Sequence, residues 1–404
     1  MQYIFNKLLR NSFLYGNIFI VYGRSDTYIN GILYKERDNM RIIHCADVHL
    51  DSKMLRHLTK EQAKERKNEL LNTFEQMVAY ANENKVSAII IAGDLFDTSM
   101  ISVTTRNFVK DTITNNPGIE FYYLQGNHDI DNFLINLKEI PANLKLFGKE
   151  WNTYGVAGSE NVTITGAEID GKNHAVIYDA LTLDENKYNI VVMHGQIQDK
   201  GNDNPDIIGL DKIKNKNVDY LALGHYHSYR EDAIDPRGTY CYSGCLEGRG
   251  FDECGEHGFV LLEVDEKKRT STRTFVPIAA RTIYSIDVSV TGCYTTVDAK
   301  QKITEALEAL KVDAKSLVKI VLTGEVTLDS EFNTDLLEKN FADAYYVFKV
   351  INKTKTKINI EDFTFDETLK GEFARTVLAS ADISEEDKST IIRYGIQALL
   401  GEEI

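Results

Sequence analysis

The most restrictive feature of this sequence is the alternation, in its first third, of short apolar runs with longer segments of helical periodicity. Val86–Ala92 is a continuous apolar run, as expected for a strand that is covered on both faces. Lys60–Asn84 carries apolar residues at helical spacing, and Ser102–Asn115 is a second predicted helix that ends before a Pro-Gly pair. Arg41–Cys45 and Glu120–Leu124 are further predicted strands. This alternation predicts a layered α/β domain.

Beyond residue 150 the helical segments become rare, so the second half of this domain is predicted to be mostly β. We expect short strands near 153–157, 162–166, 174–178, 189–193, 218–223, 229–234, 239–243, 257–264 and 271–276. Pro277 and the small residues after it indicate a boundary, so the first domain is placed at 40–280. Residues 281–355 then alternate strand and helix as a small α/β module, and 356–404 form a tail that is predicted to be helical.

The first 39 residues do not fit the α/β pattern. The apolar stretch FLYGNIFIVYG over 13–23 resembles the core of a signal peptide, but Asn17 and two glycines interrupt it and no small-residue cleavage site follows. It is also too short to span a bilayer. We therefore interpret 1–39 as an N-terminal extension outside the fold, and a signal or membrane anchor as the alternative.

Charge and cysteine content limit the class of protein. The net charge of -15 argues against a broad basic face for nucleic acid, so any such role must depend on a local site, on bound metal or on a partner. The five cysteines have no framework spacing, which favours reduced thiols in the cytoplasm over a disulfide scaffold.

Side chains of metal-binding types follow five of the predicted strands. The blocks are ADVHLDS, AGDLFDTS, QGNHDID, IVVMHGQ and LALGHYH, and most place a glycine just before the polar side chain. The carboxyl ends of strands are where α/β sheets form their sites. The seven candidate ligands are Asp47, His49, Asp94, Asn127, His194, His225 and His227.

Aspartate, histidine and amide oxygen suit divalent manganese, iron or zinc, and seven ligands imply two cations bridged by one carboxylate. Such a pair is suited to phosphoester hydrolysis, which also needs a protonated group for the leaving alkoxide. His128, beside Asn127, is placed for that role. Each block alone is more often a turn or a structural residue, but five in one order are not explained in that way. The spacing of His225 and His227 alone leaves open one shared metal, two metals or polar loop residues.

The ordered motifs D-x-H, GD, GNHD, H and GH-x-H resemble those of calcineurin-like metallophosphoesterases. ADVHLDS and AGDLFDTS resemble the versions found in SbcD-type DNA repair exonucleases, and YSGCLEGRGFDECGEHGF over 242–259 resembles a segment of a Gram-positive branch. The resemblance covers about 40–280 strongly, 281–404 more weakly and 1–39 not at all. It implies a layered β-sandwich flanked by helices, a capping domain over 281–355, and a helical tail over 356–404 that docks a partner.

The resemblance also implies roles for individual residues. One metal would be held by Asp47, His49, Asp94 and His227, and the other by Asp94, Asn127, His194 and His225, with Asp94 as the bridge. His128 would be the general acid, oriented by Asp129, and manganese is the usual metal of the family. Asp97 stands where archaeal relatives carry a further histidine.

The activity that the resemblance implies is a dimetal-dependent DNA exonuclease in DNA repair, located in the cytoplasm and working with an SMC-like coiled-coil ATPase. It also implies a possible homodimer and no membrane partner. Two alternatives stay open: a metallophosphoesterase acting on cyclic nucleotides or other small phosphoesters, and a non-catalytic scaffold that regulates the ATPase. The long region after residue 280, which a minimal phosphodiesterase does not need, favours the nuclease.

Two other features have ordinary interpretations. A zinc site at Cys241, Cys245, Cys254 and His257 is not favoured, because the spacing is irregular. His44 is expected to be a core residue, since it lies within the first strand.

Overall fold

The computed structural model describes residues 39–54, 58–97, 101–129, 139–327, 330–356 and 366–400, together with four short backbone strands upstream. These four strands pair in chain order as one antiparallel sheet. They are β1 (Ser12–Tyr15), β2 (Ile18–Tyr22), β3 (Asp26–Ile29) and β4 (Ile32–Lys35). The predicted extension therefore contains a small sheet of its own, and its position outside the fold stays a prediction.

The chain divides into two compact units, of which the first comprises 1–247 and 257–280. Its elements after residue 39 are β5 (Met40–Cys45), α1 (Lys60–Glu83), β6 (Ala88–Ala92), α2 (Val103–Thr114), β7 (Glu120–Leu124), β8 (Leu144–Leu146), β9 (Asn152–Gly155), β10 (Val162–Gly166), β11 (Tyr188–His194), β12 (Gln196–Gln198), β13 (Ile207–Gly209), α3 (Leu210–Ile213), β14 (Tyr220–Gly224), β15 (Arg230–Ala233), β16 (Thr239–Tyr242), β17 (Gly258–Asp265) and β18 (Thr270–Pro277).

Two six-stranded mixed sheets form the centre of this unit. One has the strand order β18-β17-β5-β6-β7-β8, and β5 to β8 run parallel. The other has the order β15-β16-β14-β11-β10-β9, and its four central strands run parallel. Antiparallel strands therefore lie only at the margins of each parallel set, so the carboxyl ends of the central strands of each sheet share one edge.

Apolar residues from both sheets form a shared core, which identifies the arrangement as a sandwich. Ile42 and Ile90 of one sheet and Ile190 and Ala222 of the other belong to this core. A second core lies between the first sheet and helices α1 and α2. The predicted layered α/β sandwich flanked by helices is confirmed.

Local sequence explains where the two helices begin. Thr59 caps α1, because its hydroxyl accepts the Gln62 N–H while the Gln62 side chain accepts the Thr59 N–H. Ser102 caps α2 by accepting the N–H of Thr105. Both starts agree with the predicted helices.

The predicted strand near 174–178 is wrong, because Ile177–Ala180 forms a 3₁₀ helix. Ile177 and Tyr178 pack against the outer face of the sheet that contains β11, β14 and β16. The Ile177 carbonyl accepts the indole N–H of Trp151. A short run of apolar residues fits a buried turn as well as a buried strand, so the sequence pattern could not distinguish the two structures.

The second unit comprises 248–256 and 281–404. Its elements are β19 (Ile283–Ser289), α4 (Thr296–Leu310), β20 (Leu317–Thr323), β21 (Glu325–Val326), α5 (Thr334–Phe341), β22 (Val347–Asn352), β23 (Lys355–Thr356), α6 (Leu369–Ala379) and α7 (Glu385–Leu400). β19, β20 and β22 form a parallel sheet, and α6 packs on α7 through Ala374, Val377, Ile392 and Ile396.

Residues 248–256 belong to the second unit, which continues from Arg281. The domain bounds 40–280, 281–355 and 356–404 stay predictions. Across the described part of the chain, no helix combines the length and the apolar character needed to cross a membrane. All five cysteines are free thiols.

Candidate metal centre

The five ligand-bearing turns follow the carboxyl ends of central strands in both sheets. Asp47, Asp94 and Asn127 come after β5, β6 and β7, while His194 ends β11 and His225 follows β14. Backbone hydrogen bonds join the turns: the Asp47 N–H donates to Gly93 O and the Gly195 N–H to Gly224 O. The sandwich therefore brings side chains from widely separated parts of the sequence to one edge.

Four of the predicted ligands have backbone conformations that L-residues rarely adopt. Their φ angles are positive: Asp47 49°, His49 50°, Asp94 52° and His225 109°. Each such residue costs on the order of 1–3 kcal/mol unless the surrounding structure holds it in place. Strain of this kind concentrates at functional sites, and here it coincides with the side chains that the motifs singled out.

The glycines that precede ligands are required by close approach. A Cβ on Gly126 would lie 2.1 Å from Asp94 Oδ1, and a Cβ on Gly224 would lie 2.1 Å from Ala92 O. Any other residue at these positions would displace the neighbouring turn. The glycine-then-ligand pattern of the sequence is therefore a packing requirement of the assembled site.

A first group of possible metal ligands joins Asp47, His49 and His227. The Nε2 atoms of His49 and His227 are 3.2 Å apart, and His227 Nε2 lies 3.8 Å from Asp47 Oδ1. His49 Nε2 also lies 3.9 Å from Asp94 Oδ2. His49 Nδ1 is 3.1 Å from Asp97 Oδ1, whereas Nε2 faces His227 and Asp94 and is the nitrogen that could bind a metal.

A second group joins Asp47, Asp94 and His194. His194 Nε2 lies 3.3 Å from Asp94 Oδ2 and 2.9 Å from Asn127 Oδ1. His194 Nδ1 donates to the carbonyl of Ala92 at 2.9 Å, which again directs Nε2 to the centre of the group. Asp94 Oδ2 thus faces one imidazole from each group, which is the position predicted for the bridge.

His225 and His227 diverge. The His225 ring packs edge-on against His194 with 5.6 Å between centroids, whereas the His227 ring packs against His49 at 5.0 Å. The ring nitrogens of His225 are not among the atoms that the structure brings together in either group of the described residues. Its backbone N–H donates to both Asp47 oxygens at 3.0 Å.

The His128 imidazole contacts the carboxylate of Asp97, with 3.2 Å between Nδ1 and Oδ1. The predicted partner, Asp129, lies elsewhere: its carboxylate accepts the backbone N–H groups of Leu95, Phe96 and Gly126 at 3.2, 2.8 and 2.9 Å. Asp129 therefore links the turn after β6 to the turn after β7 instead of contacting the His128 imidazole. The His128 side chain is about half exposed, and its backbone N–H donates to Asp94 Oδ1 at 2.8 Å.

Asp97 and Asp51 are site residues whose roles the sequence did not predict. Asp51 accepts the Ser102 N–H at 2.7 Å and the Thr105 hydroxyl at 2.8 Å, which fixes the first ligand turn to the start of α2. The signal was present in the second aspartates of ADVHLDS and AGDLFDTS, but sequence spacing alone did not assign them contacts. The disfavoured zinc set is not among the metal-binding groups of the described residues. His44 is fully buried, as predicted, with Nδ1 2.8 Å from the hydroxyl of Tyr220.

Burial and charge pull the ionisation of the site in opposite directions. Burial raises the pKa of Asp47 to about 7, although the charges of His194 and His227 oppose it. Burial also favours the neutral form of Asp94, but the hydrogen bond and charge of His194 and the charge of His49 hold its pKa well below its ordinary value. Burial favours neutral His194, yet its contacts with Asp94 raise its pKa to about 9.

These pKa values predict that metal binding becomes tighter as pH rises. Because the pKa values of His194 and Asp47 are both raised, a metal that binds near neutral pH must displace protons from these two groups. Each proton released tightens the apparent affinity by about tenfold per pH unit, so the Kd for manganese should fall steadily from pH 6.5 to 8.5. Calorimetric titration in buffers of different ionisation enthalpy measures the released protons. A heat that is independent of the buffer would contradict the assignment of His194 as a ligand.

The donor set fits divalent cations. It combines two buried carboxylates, an amide oxygen and imidazoles whose Nε2 atoms converge, and the Ala92 carbonyl holds Nδ1 of His194. Two imidazole nitrogens facing each other at 3.2 Å require a proton or a cation near them. Asp47, His49 and His227 would hold one cation and His194 and Asn127 the other, with Asp94 between them.

Sequence comparison relates this part of the chain to known proteins. Residues 40–229 match the sequence family described as calcineurin-like phosphoesterase. An uncharacterised metallophosphoesterase of Bacillus subtilis, YhaO, is 27% identical over 238 residues, which are 56% of this chain and 58% of that protein.

Two further relatives are named for a role in DNA repair or for nuclease activity. The DNA double-strand break repair protein Mre11 of Methanosarcina acetivorans is 23% identical over 88% of this chain and 56% of its own length. The SbcD component of the nuclease SbcCD of Staphylococcus epidermidis is 26% identical over 59% of this chain and 70% of its own. The chain thus spans little more than half the length of the first two relatives.

Proposed function

We propose that this chain, which carries a calcineurin-like metallophosphoesterase domain, is a dimetal-dependent DNA exonuclease that hydrolyses phosphodiester bonds in DNA repair. The observation that carries the proposal is the convergence of the ligand turns on Asp94, with His128 on the adjoining turn. The likeness to Mre11 and to the SbcD component of SbcCD supports a nuclease over other phosphoesterases. When bound, two divalent cations, which we propose to be manganese, supply Lewis acidity to the scissile phosphate.

The residues of the chain then have separate tasks. His128 is the general acid that donates a proton to the leaving alkoxide, because its half-exposed ring lies beside the two groups that contain Asp47. With His49 and Asp97, His128 also forms a third group of possible metal ligands, which contains neither Asp47 nor Asp94. Asp97 Oδ1 lies 3.2 Å from Nδ1 of His128, and we propose that it fixes the ring so that Nε2 faces the substrate. Asp129 keeps the turn carrying Asn127 and His128 in place through its backbone contacts.

Asp97 also contacts Nδ1 of His49, so one carboxylate supports both the general acid and a metal ligand. Asp97 can contact both rings at once only while the two imidazoles keep a fixed distance and orientation. The rings of His49 and His128 lie edge to face, with 5.1 Å between centroids. We propose that this contact couples metal binding at His49 to the orientation of the general acid.

DNA binding needs positive charge that the chain does not supply in bulk, since its net charge is -15. We propose that an SMC-like coiled-coil ATPase supplies part of the DNA surface and binds the helical tail, in the cytoplasm. The pair α6 and α7 leaves Leu369, Tyr394 and Leu399 at 64, 42 and 44% exposure, which suits a helical partner. By the same likeness, we propose that 281–355 is a capping domain and that the protein forms a homodimer.

The experiment that tests the proposal compares substrates in the presence of manganese. Purified full-length protein, alone and with the ATPase, is incubated with linear DNA and with a chromogenic phosphodiester. Cleavage of DNA from its ends is expected, and cleavage should stop when the metals are chelated. Hydrolysis of the small diester with no DNA cleavage under either condition would instead support the alternative, a phosphoesterase for small substrates. Binding of the ATPase with neither activity would support a scaffold.

A further inference from the structure

A tyrosine outside the ligand motifs contacts the turn that carries His194. The hydroxyl of Tyr242, at the end of β16, donates to the carbonyl of Gly195 and accepts the N–H of Ile197, both at 2.8 Å. Gly195 directly follows His194 in the chain. Tyr242 is 1% exposed, so these two hydrogen bonds satisfy its hydroxyl away from water.

The ring of Tyr242 contacts the other histidine-bearing turn. Tyr226 lies between His225 and His227, and its ring meets the Tyr242 ring edge to face with 4.8 Å between centroids. The strand pairing of β14 with β16 places Leu223 beside Tyr242 and so fixes this approach. One buried side chain therefore contacts the two turns that supply three of the predicted ligands.

We propose that Tyr242 is a positioning residue for the metal centre, acting through its hydroxyl on the turn after His194 and through its ring on the turn of His225 and His227. This inference rests on the proposed metal centre and deepens it. The two turns are also joined directly, since the Gly195 N–H donates to Gly224 O at 3.2 Å. Tyr242 contacts both of these turns from strand β16. Ligands must be held within about 0.5 Å of their positions to bind a metal tightly.

The hydroxyl is the part that can be removed without emptying the core. Tyr242→Phe keeps the ring against Tyr226 and leaves the Gly195 carbonyl and the Ile197 N–H without this partner. Outer contacts of this kind change metal affinity by about 10–100-fold. We therefore expect the cation held by His194 to bind at least about tenfold more weakly, while the other cation binds almost as in the wild type.

A matched control lies two residues away on the same strand. Tyr240 is 4% exposed, and its ring meets that of Tyr242 edge to face, but its hydroxyl makes no hydrogen bond within the described residues. Tyr240→Phe therefore removes a hydroxyl from the same strand without changing a contact to a ligand turn. Its manganese binding should match that of the wild type.

The test is a manganese(II) titration of full-length wild type, Tyr242→Phe and Tyr240→Phe, followed by calorimetry, with melting temperatures measured for the metal-free proteins. Weakened binding of one equivalent in Tyr242→Phe alone, with the other equivalent unchanged, supports positioning. Unchanged binding in Tyr242→Phe overturns the proposal. Equal weakening in both variants, or of both equivalents in Tyr242→Phe, shows a general structural role and also overturns it. The titrations are run well below all three melting temperatures, because Tyr242→Phe leaves two buried groups without this partner and is expected to melt lower. No arm uses DNA, so the outcome is independent of whether the protein is a nuclease.

Discussion

Replacing Asp94 with asparagine is expected to abolish binding of both cations and to lower kcat/KM for phosphodiester hydrolysis by at least about a thousandfold. Asp94 is 2% exposed, and its Oδ2 faces His194 Nε2 at 3.3 Å and His49 Nε2 at 3.9 Å. The substitution keeps the shape of the side chain but removes the negative charge between the two groups. Loss of Lewis acidity costs several kcal/mol of transition-state stabilisation, and each 1.36 kcal/mol is a factor of ten in rate.

The measurement combines metal content by elemental mass spectrometry with initial rates on the chromogenic diester. The wild type should carry two manganese ions and gain melting temperature when manganese is added, because a ligand that binds only the folded state stabilises it. Asp94→Asn should show neither. Asp203→Asn, an exposed aspartate in the loop after β12, is the matched control and should behave as the wild type. Retention of two ions by Asp94→Asn would refute the bridging position.

Replacing His128 with asparagine is expected to lower kcat by about 10²–10⁴-fold, the range typical of general acid–base catalysis, with metal content unchanged. An amide has no proton to donate at this pH, whereas the backbone N–H of residue 128 still donates to Asp94. The effect on turnover should therefore be separate from metal binding, in contrast to Asp94→Asn. Full activity, or loss of manganese, would remove His128 from the role of general acid.

Asp97→Asn distinguishes the two carboxylates proposed for His128. Because Asp97 contacts Nδ1 of both His128 and His49, its amide should reduce activity by about 10–100-fold and change the pH profile, with a smaller loss of metal affinity. Asp129→Asn should act differently, since Asp129 accepts three backbone N–H groups and burial raises its pKa to about 6. Its effect should appear chiefly as a lower melting temperature. A changed pH profile in Asp129→Asn alone would restore the predicted partnership.

The sequence by itself determined the ligand turns and most of the elements that carry them. The capped helix α1 and the fully buried strand β6 follow from apolar periodicity and local hydrogen bonds, which depend only on neighbours in the chain. The order of the motifs predicted the candidate ligands. In several motifs a glycine precedes the ligand, and at Gly126 and Gly224 the turn has no room for a Cβ. The strand predicted near 174–178 failed where an apolar run fits two conformations equally.

Only the tertiary structure decided which side chains act together. Asp129 is next to His128 in the chain, yet Asp97 contacts the imidazole. The positive φ of Asp94 redirects the chain after β6, and the Asp97 N–H donates to Leu50 O, which places its carboxylate between two histidines. Tyr242 shows the same limit, since its hydrogen bonds cross to a strand more than forty residues away. Contacts across two sheets depend on strand order and turn geometry, and spacing along one chain does not record either.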